Sequence, residues 1–243
     1  MRVLVTRPLE DARLTALELA RLGHETVIAP LFAVRFIECP EPLADDAQAV
    51  LATSGNGVRA LSRRTKHRGM PLFAVGPHTA AIARSAGFDK VIDAGGDSAA
   101  LARAVRRRLR PADGPLLIFA GRHASPELKT AVQVAGFHVR VCTAYEAIAA
   151  PALPTAACEA LGSDSLDAAL LFSPRSAGMF AERVQQAGFA DACMRLLACC
   201  ISNSAALALD GLQFGHVRIA ARPDHDHVLA LLQPGLPSDD CRA

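Results

Sequence analysis

The chain repeats itself, and this limits its possible folds more than any other feature. Residues 3–32 (VLVTRPLEDARLTALELARLGHETVIAPLF) match residues 116–145 (LLIFAGRHASPELKTAVQVAGFHVRVCTAY) in pattern. Each has an apolar run, a turn, a helix-like stretch, a glycine and a second apolar run. TSGNGVRAL at 53–61 matches FSPRSAGMF at 172–180, and AVGPHTAAIA at 74–83 matches CCISNSAALAL at 199–209. The order is kept throughout, as in two copies of one domain with small insertions. With 243 residues, 51% of them hydrophobic, there is material for two cores.

Within each copy, short apolar runs alternate with amphipathic stretches, the signature of a parallel sheet covered by helices. The runs predict strands at Arg2–Thr6, Thr26–Ala29, Ala49–Thr53, Leu72–Val75, Lys90–Ile92, Leu116–Phe119, His138–Cys142, Ala168–Phe172, Leu196–Ile201 and Val217–Ala220. The stretches between them carry the helical period: Leu101, Val105 and Leu109 behind an N-cap at Ser98, then Leu128, Val132 and Ala135, then Phe180, Val184 and Ala187. Gly23, Gly87, Gly136 and Gly188 follow such helices and are read as their stops. The fold class is α/β, with two flavodoxin-like lobes. A tandem repeat puts the boundary near Pro111–Gly114. A second solution also fits: Phe32–Ile37 and Tyr145–Ala150 occupy equivalent places, are apolar and extended, and could be two crossings between lobes. Both solutions bury the same surfaces. The tail from Pro234 onward reads as frayed.

Composition removes several function classes. A formal net charge of +2 is too small for a dedicated nucleic-acid binder. With no Trp and one Tyr there is no stacking platform for single strands. The seven cysteines form no C-x-x-C pair, and Cys199 and Cys200 sit in an apolar run, so buried reduced thiols are expected rather than disulfides or zinc. The chain opens directly on a strand-like run with no secretory pattern, and no apolar run approaches the ~18 residues of a membrane span. A cytoplasmic monomer with no membrane partner is expected.

The chemistry concentrates in turns. Thr53-Ser54-Gly55-Asn56, Gly76-Pro77-His78-Thr79, Ser173-Pro174-Arg175-Ser176 and Ser202-Asn203-Ser204 each follow a strand and open a helix. Open α/β sheets bind ligands at that edge. Helix N-termini offer backbone N–H groups and a positive dipole end, so the ligand they suit is an anion. Any one of these turns could be an ordinary N-cap; two such edges facing each other would suit a polyanion. Arg7 and Arg122 each follow a first-type strand and are candidate carboxylate ligands. Pro8 is read as a first helical residue. The arginines at 103, 106, 107, 108 and 110 read as a solvated helix face. His225-Asp226-His227 reads as a solvent-facing loop rather than a metal site, and no metal is expected. There is no G-x-S-x-G elbow, Walker loop or G-x-G-x-x-G, and no acidic cluster on the turns.

Val3-Leu4-Val5-Thr6-Arg7-Pro8 resembles the start of the uroporphyrinogen-III synthase family. Further matches are Thr53-Ser54-x-Asn56-Gly57-Val58, Ala74-Val75-Gly76-x-x-Thr79-Ala80, Thr143-Ala144-Tyr145, Leu171-Phe172-Ser173-Pro174 and Ile201-Ser202-x-Ser204-Ala205. The ordered set covers nearly the whole chain, although Ser202-Asn203-Ser204 stands where the family often has Gly-Pro-Thr. The resemblance implies two lobes joined by a two-stranded ladder. That favours a first lobe of residues 1–33 and 151–243, a second of 39–142, and linker strands at 34–38 and 143–150. It implies no cofactor. The implied substrate is hydroxymethylbilane, a linear tetrapyrrole polycarboxylate, which would be closed with inversion of its last pyrrole. Carried over by motif, the site residues are Thr53, Ser54, Gly76, Thr79, Tyr145, Ser173, Ser202 and Ser204; Asn56 and Ser176 join them from the same turns.

Tyr145 is the catalytic candidate. It is the sole tyrosine, and its repeat counterpart is Phe32. A phenol, with pKa near 10, can donate to a leaving hydroxyl without adding charge beside an acidic ligand. The competing reading is an aromatic packed against the other crossing strand. Two other classes remain open at this point: a non-catalytic bilobal binder of small anions, and a regulatory module without activity.

Overall fold

A computed structural model describes residues 1–38 and 46–233. The elements run β1 (Arg2–Val5), α1 (Leu9–Arg21), β2 (Glu25–Ile28), β3 (Phe32–Phe36), β4 (Ala49–Ala52), α2 (Gly55–Arg64), β5 (Leu72–Ala74) and α3 (Pro77–Ser85). They continue β6 (Val91–Asp93), α4 (Ser98–Arg108), β7 (Leu116–Gly121), α5 (Glu127–Val134), β8 (Val139–Ala149), α6 (Thr155–Gly162) and β9 (Ala168–Leu171). The last are α7 (Pro174–Gln186), β10 (Leu197–Cys200), α8 (Asn203–Leu207), β11 (His216–Ile219) and α9 (His225–Ala230). The frayed tail expected from Pro234 onward lies outside the described residues.

The chain divides into two compact units, Met1–Ala33 with Ile148–Ala243, and Val34–Ala147. The divisions fall inside β3 and β8, which are neighbours in one sheet. The first unit holds a five-stranded sheet ordered β11-β10-β9-β1-β2. The other sheet has six strands, β3-β8-β7-β4-β5-β6. Counting the first unit's strands from β1 gives the flavodoxin-type spatial order 2-1-3-4-5. Counting the second unit's from β7 gives the same order, with β4, β5 and β6 following. The two units are therefore circular permutations of one sheet. The sequence repeat aligns β1 with β7, β2 with β8, β9 with β4 and β10 with β5.

The strands form where the apolar runs predict them, because they are covered on both faces. All four residues of β4, β9 and β10 are buried. Burying a leucine such as Leu51 or Leu170 contributes about 2 kcal/mol. Two packed faces flank the second sheet, one around Val58, Leu61 and Phe119, the other around Leu101, Val105 and Phe73. Arg103 and Arg106 to Arg108 point outward on α4, and Arg110 beyond it is exposed too.

Several boundaries differ from the sequence reading. His138–Cys142 and Tyr145–Ala150 are one continuous strand, β8, rather than a strand and a separate linker. The cap of α4 is Asp97, whose carboxylate accepts the Ala100 N–H; Ser98 is already helical. Pro8 is the N-cap of α1, and Leu9 is the first helical residue. Leu109, Ala135 and Ala187 lie at C-caps, one residue past the helices whose stripes they extend. Gly23, Gly87, Gly136 and Gly188 follow with φ of 79°, 87°, 89° and 76°.

Candidate functional site

In an open α/β sheet the ligand edge is the carboxyl end of the strands, where the strand order reverses. In the second unit that point lies between β7 and β4. β4 leads into Thr53 and Ser54, both half-buried. Ser54 is the N-cap of α2, and its hydroxyl accepts the Gly57 N–H at 3.2 Å. The Ser54 Oγ also lies 2.8 Å from the Tyr145 Oη. Tyr145 reaches this place from β8, where it pairs with Gly121 across an irregularity in the β7–β8 ladder.

Two glycines make the approach possible. A Cβ at Gly57 would stand 2.5 Å from the Phe119 carbonyl oxygen, so only glycine lets α2 begin this close to β7. A Cβ at Gly121 would stand 2.8 Å from the Tyr145 ring, so the ring lies in a slot that a side chain would fill.

The rest of this edge follows from neighbouring strands. Gly76 caps α3 through its backbone, and Thr79 in the first turn is 5% exposed. The Asn56 amide oxygen accepts from Arg59 at 2.8 Å. Arg122, just after β7, is exposed, and its Nε donates to Glu146 at 2.7 Å. Glu146 is also bonded by Arg35. The Arg35 bond first, together with the Arg122 charge, holds the Glu146 carboxyl below the usual carboxylate range.

In the first unit the equivalent point lies between β1 and β9. Here the arginine turns inward. The Arg7 side chain is 13% exposed, 3.7 Å from the Asp11 carboxylate and 4.3 Å above the Phe172 ring. It donates to Thr15 at 3.3 Å and to the His225 Nδ1 at 2.9 Å. A guanidinium has no acceptor, so His225 Nδ1 must accept, which makes the ring neutral with its proton on Nε2. That proton is donated to the Glu18 carboxylate at 2.6 Å. His225 stacks on Phe172 with centroids 5.3 Å apart.

Ser173 caps α7, accepting the Ser176 N–H at 3.0 Å, and its hydroxyl lies 2.8 Å from that of Ser176. Ser202 caps α8 and repeats the pattern with Ser204 at 2.9 Å. The turns after β9 and β10 thus each present a pair of linked hydroxyls at a helix N-terminus. The Arg175 guanidinium lies 4.6 Å above the ring of Phe32, the counterpart of Tyr145.

A family model for uroporphyrinogen-III synthase HemD matches residues 14–230. The chain belongs to the uroporphyrinogen-III synthase family. No curated protein matches it. Among solved structures, the chain is similar to uroporphyrinogen-III synthetase from Helicobacter pylori, with a TM-score of 0.60 and 20% identity over 95% of this chain and 98% of that one. It is also similar to a mutant uroporphyrinogen III synthase from Thermus thermophilus, with a TM-score of 0.52 and 20% identity over 95% and 97%. At that identity the likeness speaks for the fold, and it agrees with the two mostly parallel sheets.

For this member of the synthase family, the structure brings Ser54 and Tyr145 together and sets Thr53 and Asn56 in the same turn. Gly76 and Thr79 stand one strand away, and Ser173 with Ser176 and Ser202 with Ser204 line adjacent strands of the other unit. Arg7 is drawn into an internal network instead of facing outward. His225, read from sequence as part of a solvent-facing loop, is 6% exposed and opens α9 behind the N-cap Asp224. Glu18, His225 and Asp226 place ligand atoms within 4.8 Å of one another, but both His225 ring nitrogens are engaged by Arg7 and Glu18. Sequence reasoning also missed Glu146, Gly57 and Gly121 as parts of the edge. The signal for Glu146 was its place directly after the sole tyrosine. A hollow of about 380 Å³ in the second unit, lined by Phe36, Arg63, Phe119 and Cys142 among others, includes none of these residues. Among the described residues, no helix is long and apolar enough to cross a membrane.

Proposed function

We propose that this chain is itself a uroporphyrinogen-III synthase, closing hydroxymethylbilane with loss of water and inversion of the terminal pyrrole. The observation that carries the reading is the family match over residues 14–230. The sole tyrosine, at the strand-order reversal of one unit, supplies the acid the reaction calls for. As the terminal C–O bond breaks, its electron pair goes to oxygen, the Tyr145 phenol gives up its proton, and water leaves. The pyrrole nitrogen pushes electrons into the resulting azafulvenium. The last pyrrole then attacks through its substituted carbon to give the spiro intermediate. Rearrangement, closure and loss of a ring proton, which returns to the phenolate, complete the cycle.

Substrate carboxylates would be held by the backbone N–H groups of the turns at Thr53 to Asn56, Gly76 to Thr79, Ser173 to Ser176 and Ser202 to Ser204. Arg122, exposed beside them, is a further carboxylate ligand in this scheme. Arg7 is better read as a brace of its loop than as a substrate ligand, because buried partners occupy it. Holding the chain ends in one geometry is what separates the inverted product from the isomer that forms spontaneously. We also propose that the protein acts in the cytoplasm, as a monomer, without metal or organic cofactor and without binding nucleic acid; light scattering tests the monomer.

The deciding experiment gives the purified protein hydroxymethylbilane and separates the oxidised uroporphyrin isomers. The expected outcome is predominantly the type III isomer, at a rate above spontaneous closure. Type I alone, at the spontaneous rate, would overturn the proposal.

A further inference from the structure

We infer that Ser54 is a positioning residue for Tyr145: its hydroxyl, anchored at the start of α2, donates to the phenol oxygen and so stabilises the negative charge that forms there as the phenol proton passes to the leaving group. This rests on the reading of Tyr145 as the acid of the reaction.

The argument starts from the hydrogen bonds. The Ser54 oxygen accepts the Gly57 N–H at 3.2 Å and lies 2.8 Å from the Tyr145 oxygen. A serine hydroxyl has one proton and two lone pairs. With one lone pair taken by the helix N-terminus, the serine proton can be directed at Tyr145. The phenol then accepts from Ser54 and need not spend its own proton on that contact. When that proton passes to the leaving hydroxyl, the negative charge forming on the phenol oxygen is met by the serine O–H. It is met also by the positive end of the ten-residue α2. No extra reactant is required: the proton that leaves with the hydroxyl is replaced by the ring proton released at closure.

The surroundings hold this pair in register. Gly57 lets the first turn of α2 settle against the Phe119 carbonyl, and Gly121 opens the slot for the tyrosine ring. Two close approaches, one at Gly57 on α2 and one at Gly121 on β7, thus converge on one hydroxyl–hydroxyl contact. An N-cap alone would need neither the tyrosine nor the slot at Gly121.

The test uses Ser54→Gly, because glycine retains most of the capping ability and alters helix stability by only a few tenths of a kcal/mol. Ser54→Thr restores a capping hydroxyl. Ser54→Gly should lower kcat roughly tenfold with KM nearly unchanged, as expected for losing a hydrogen bond to a charged oxygen. Ser54→Thr should recover most of the loss. In a Tyr145→Phe background, Ser54→Gly should cause no further fall.

A second readout needs no turnover. The protein has one Tyr and no Trp, so the near-ultraviolet phenolate band reports Tyr145 alone. Its alkaline transition should move to higher pH in Ser54→Gly. Wild-type kcat together with an unmoved transition would overturn the inference. So would an equal fall in the Tyr145→Phe background, which would show that Ser54 acts elsewhere. If Tyr145→Phe itself keeps the wild-type kcat, the assignment of the acid fails, while the spectral shift still decides whether Ser54 and Tyr145 are coupled.

Discussion

The two units share one sheet order and differ in what they do with the residue after their first strand. In the first, Arg7 is folded back onto Asp11, Thr15, His225 and Phe172. In the second, Arg122 stands exposed on Glu146. The repeat-related aromatic, Phe32 at the start of β3 and Tyr145 within β8, differs as well. Phe32 is 4% exposed under Arg175, whereas Tyr145 meets Ser54 through its hydroxyl. The same scaffold folds its arginine inward in one copy and holds it at the surface in the other. The contrast teaches that a repeat fixes where side chains stand, while single residues decide which partners they meet.

The largest expected effect is on the bracing. Arg7→Ala removes the guanidinium that Asp11, Thr15 and His225 share and should cost about 3 kcal/mol of stability, measured by urea unfolding. Arg122→Ala removes an exposed pair and should leave the unfolding midpoint unchanged within error. If the two variants lose equal stability, the proposed difference between the units is wrong.

Tyr145→Phe makes the second unit chemically like the first. It should lower kcat roughly tenfold to a hundredfold, with more type I isomer escaping and a stability loss of about 1 kcal/mol from the missing hydrogen bond. A variant with wild-type rate and isomer ratio would reduce Tyr145 to a packing aromatic, as Phe32 is.

The smallest effect compares the caps of α9 and α4, which follow the last strand of each sheet and begin behind Asp224 and Asp97. Burial pushes the Asp224 carboxyl up, but the His227 backbone N–H, the His227 ring and Arg222 together bring it below its ordinary value of 3.8. A depressed carboxyl stabilises the fold above its unfolded pKa, and the contribution is lost as pH falls through the folded pKa. Asp224→Ala should therefore cost about 1 kcal/mol at pH 7, and the gap to wild type should close progressively below about pH 4. Asp97→Ala, at an exposed cap, should cost no more than Asp224→Ala at pH 7. A gap that stays constant into acid would mean that Asp224 contributes through its shape rather than its charge.

The fold was legible because fully covered parallel strands leave unbroken apolar runs such as Ala49–Ala52 and Leu197–Cys200, and because the repeat was read in the right pairs. Helix ends were less so: a stripe such as Leu101, Val105 and Leu109 continues one residue past the helix because Leu109 still packs after its backbone turns extended. The turns were found by their small polar residues, and Ser54, Ser173 and Ser202 are indeed caps. What sequence does not display is partnership across long separations. His225 and Arg7 are 218 residues apart, and nothing local distinguishes a buried neutral imidazole from a solvated one. The approach of Ser54 to Tyr145 depends on space left at Gly57 and Gly121, and a glycine in a one-letter string does not say which backbone comes near it.

The place of Val34–Ala147 inside the chain has a consequence for synthesis. That unit is contiguous, so it can fold as soon as it leaves the ribosome. The first unit cannot: β1 pairs on one side with β2 but on the other with β9, more than 160 residues later. At typical elongation rates β1 and β2 wait on the order of 10 s for their remaining partners. During that interval the nascent chain carries a finished domain and an orphaned hairpin-sized remnant with an open edge at β1. A ribosome stalled just after Ala147 would therefore release one native unit tethered to a strand pair that invites pairing with other chains.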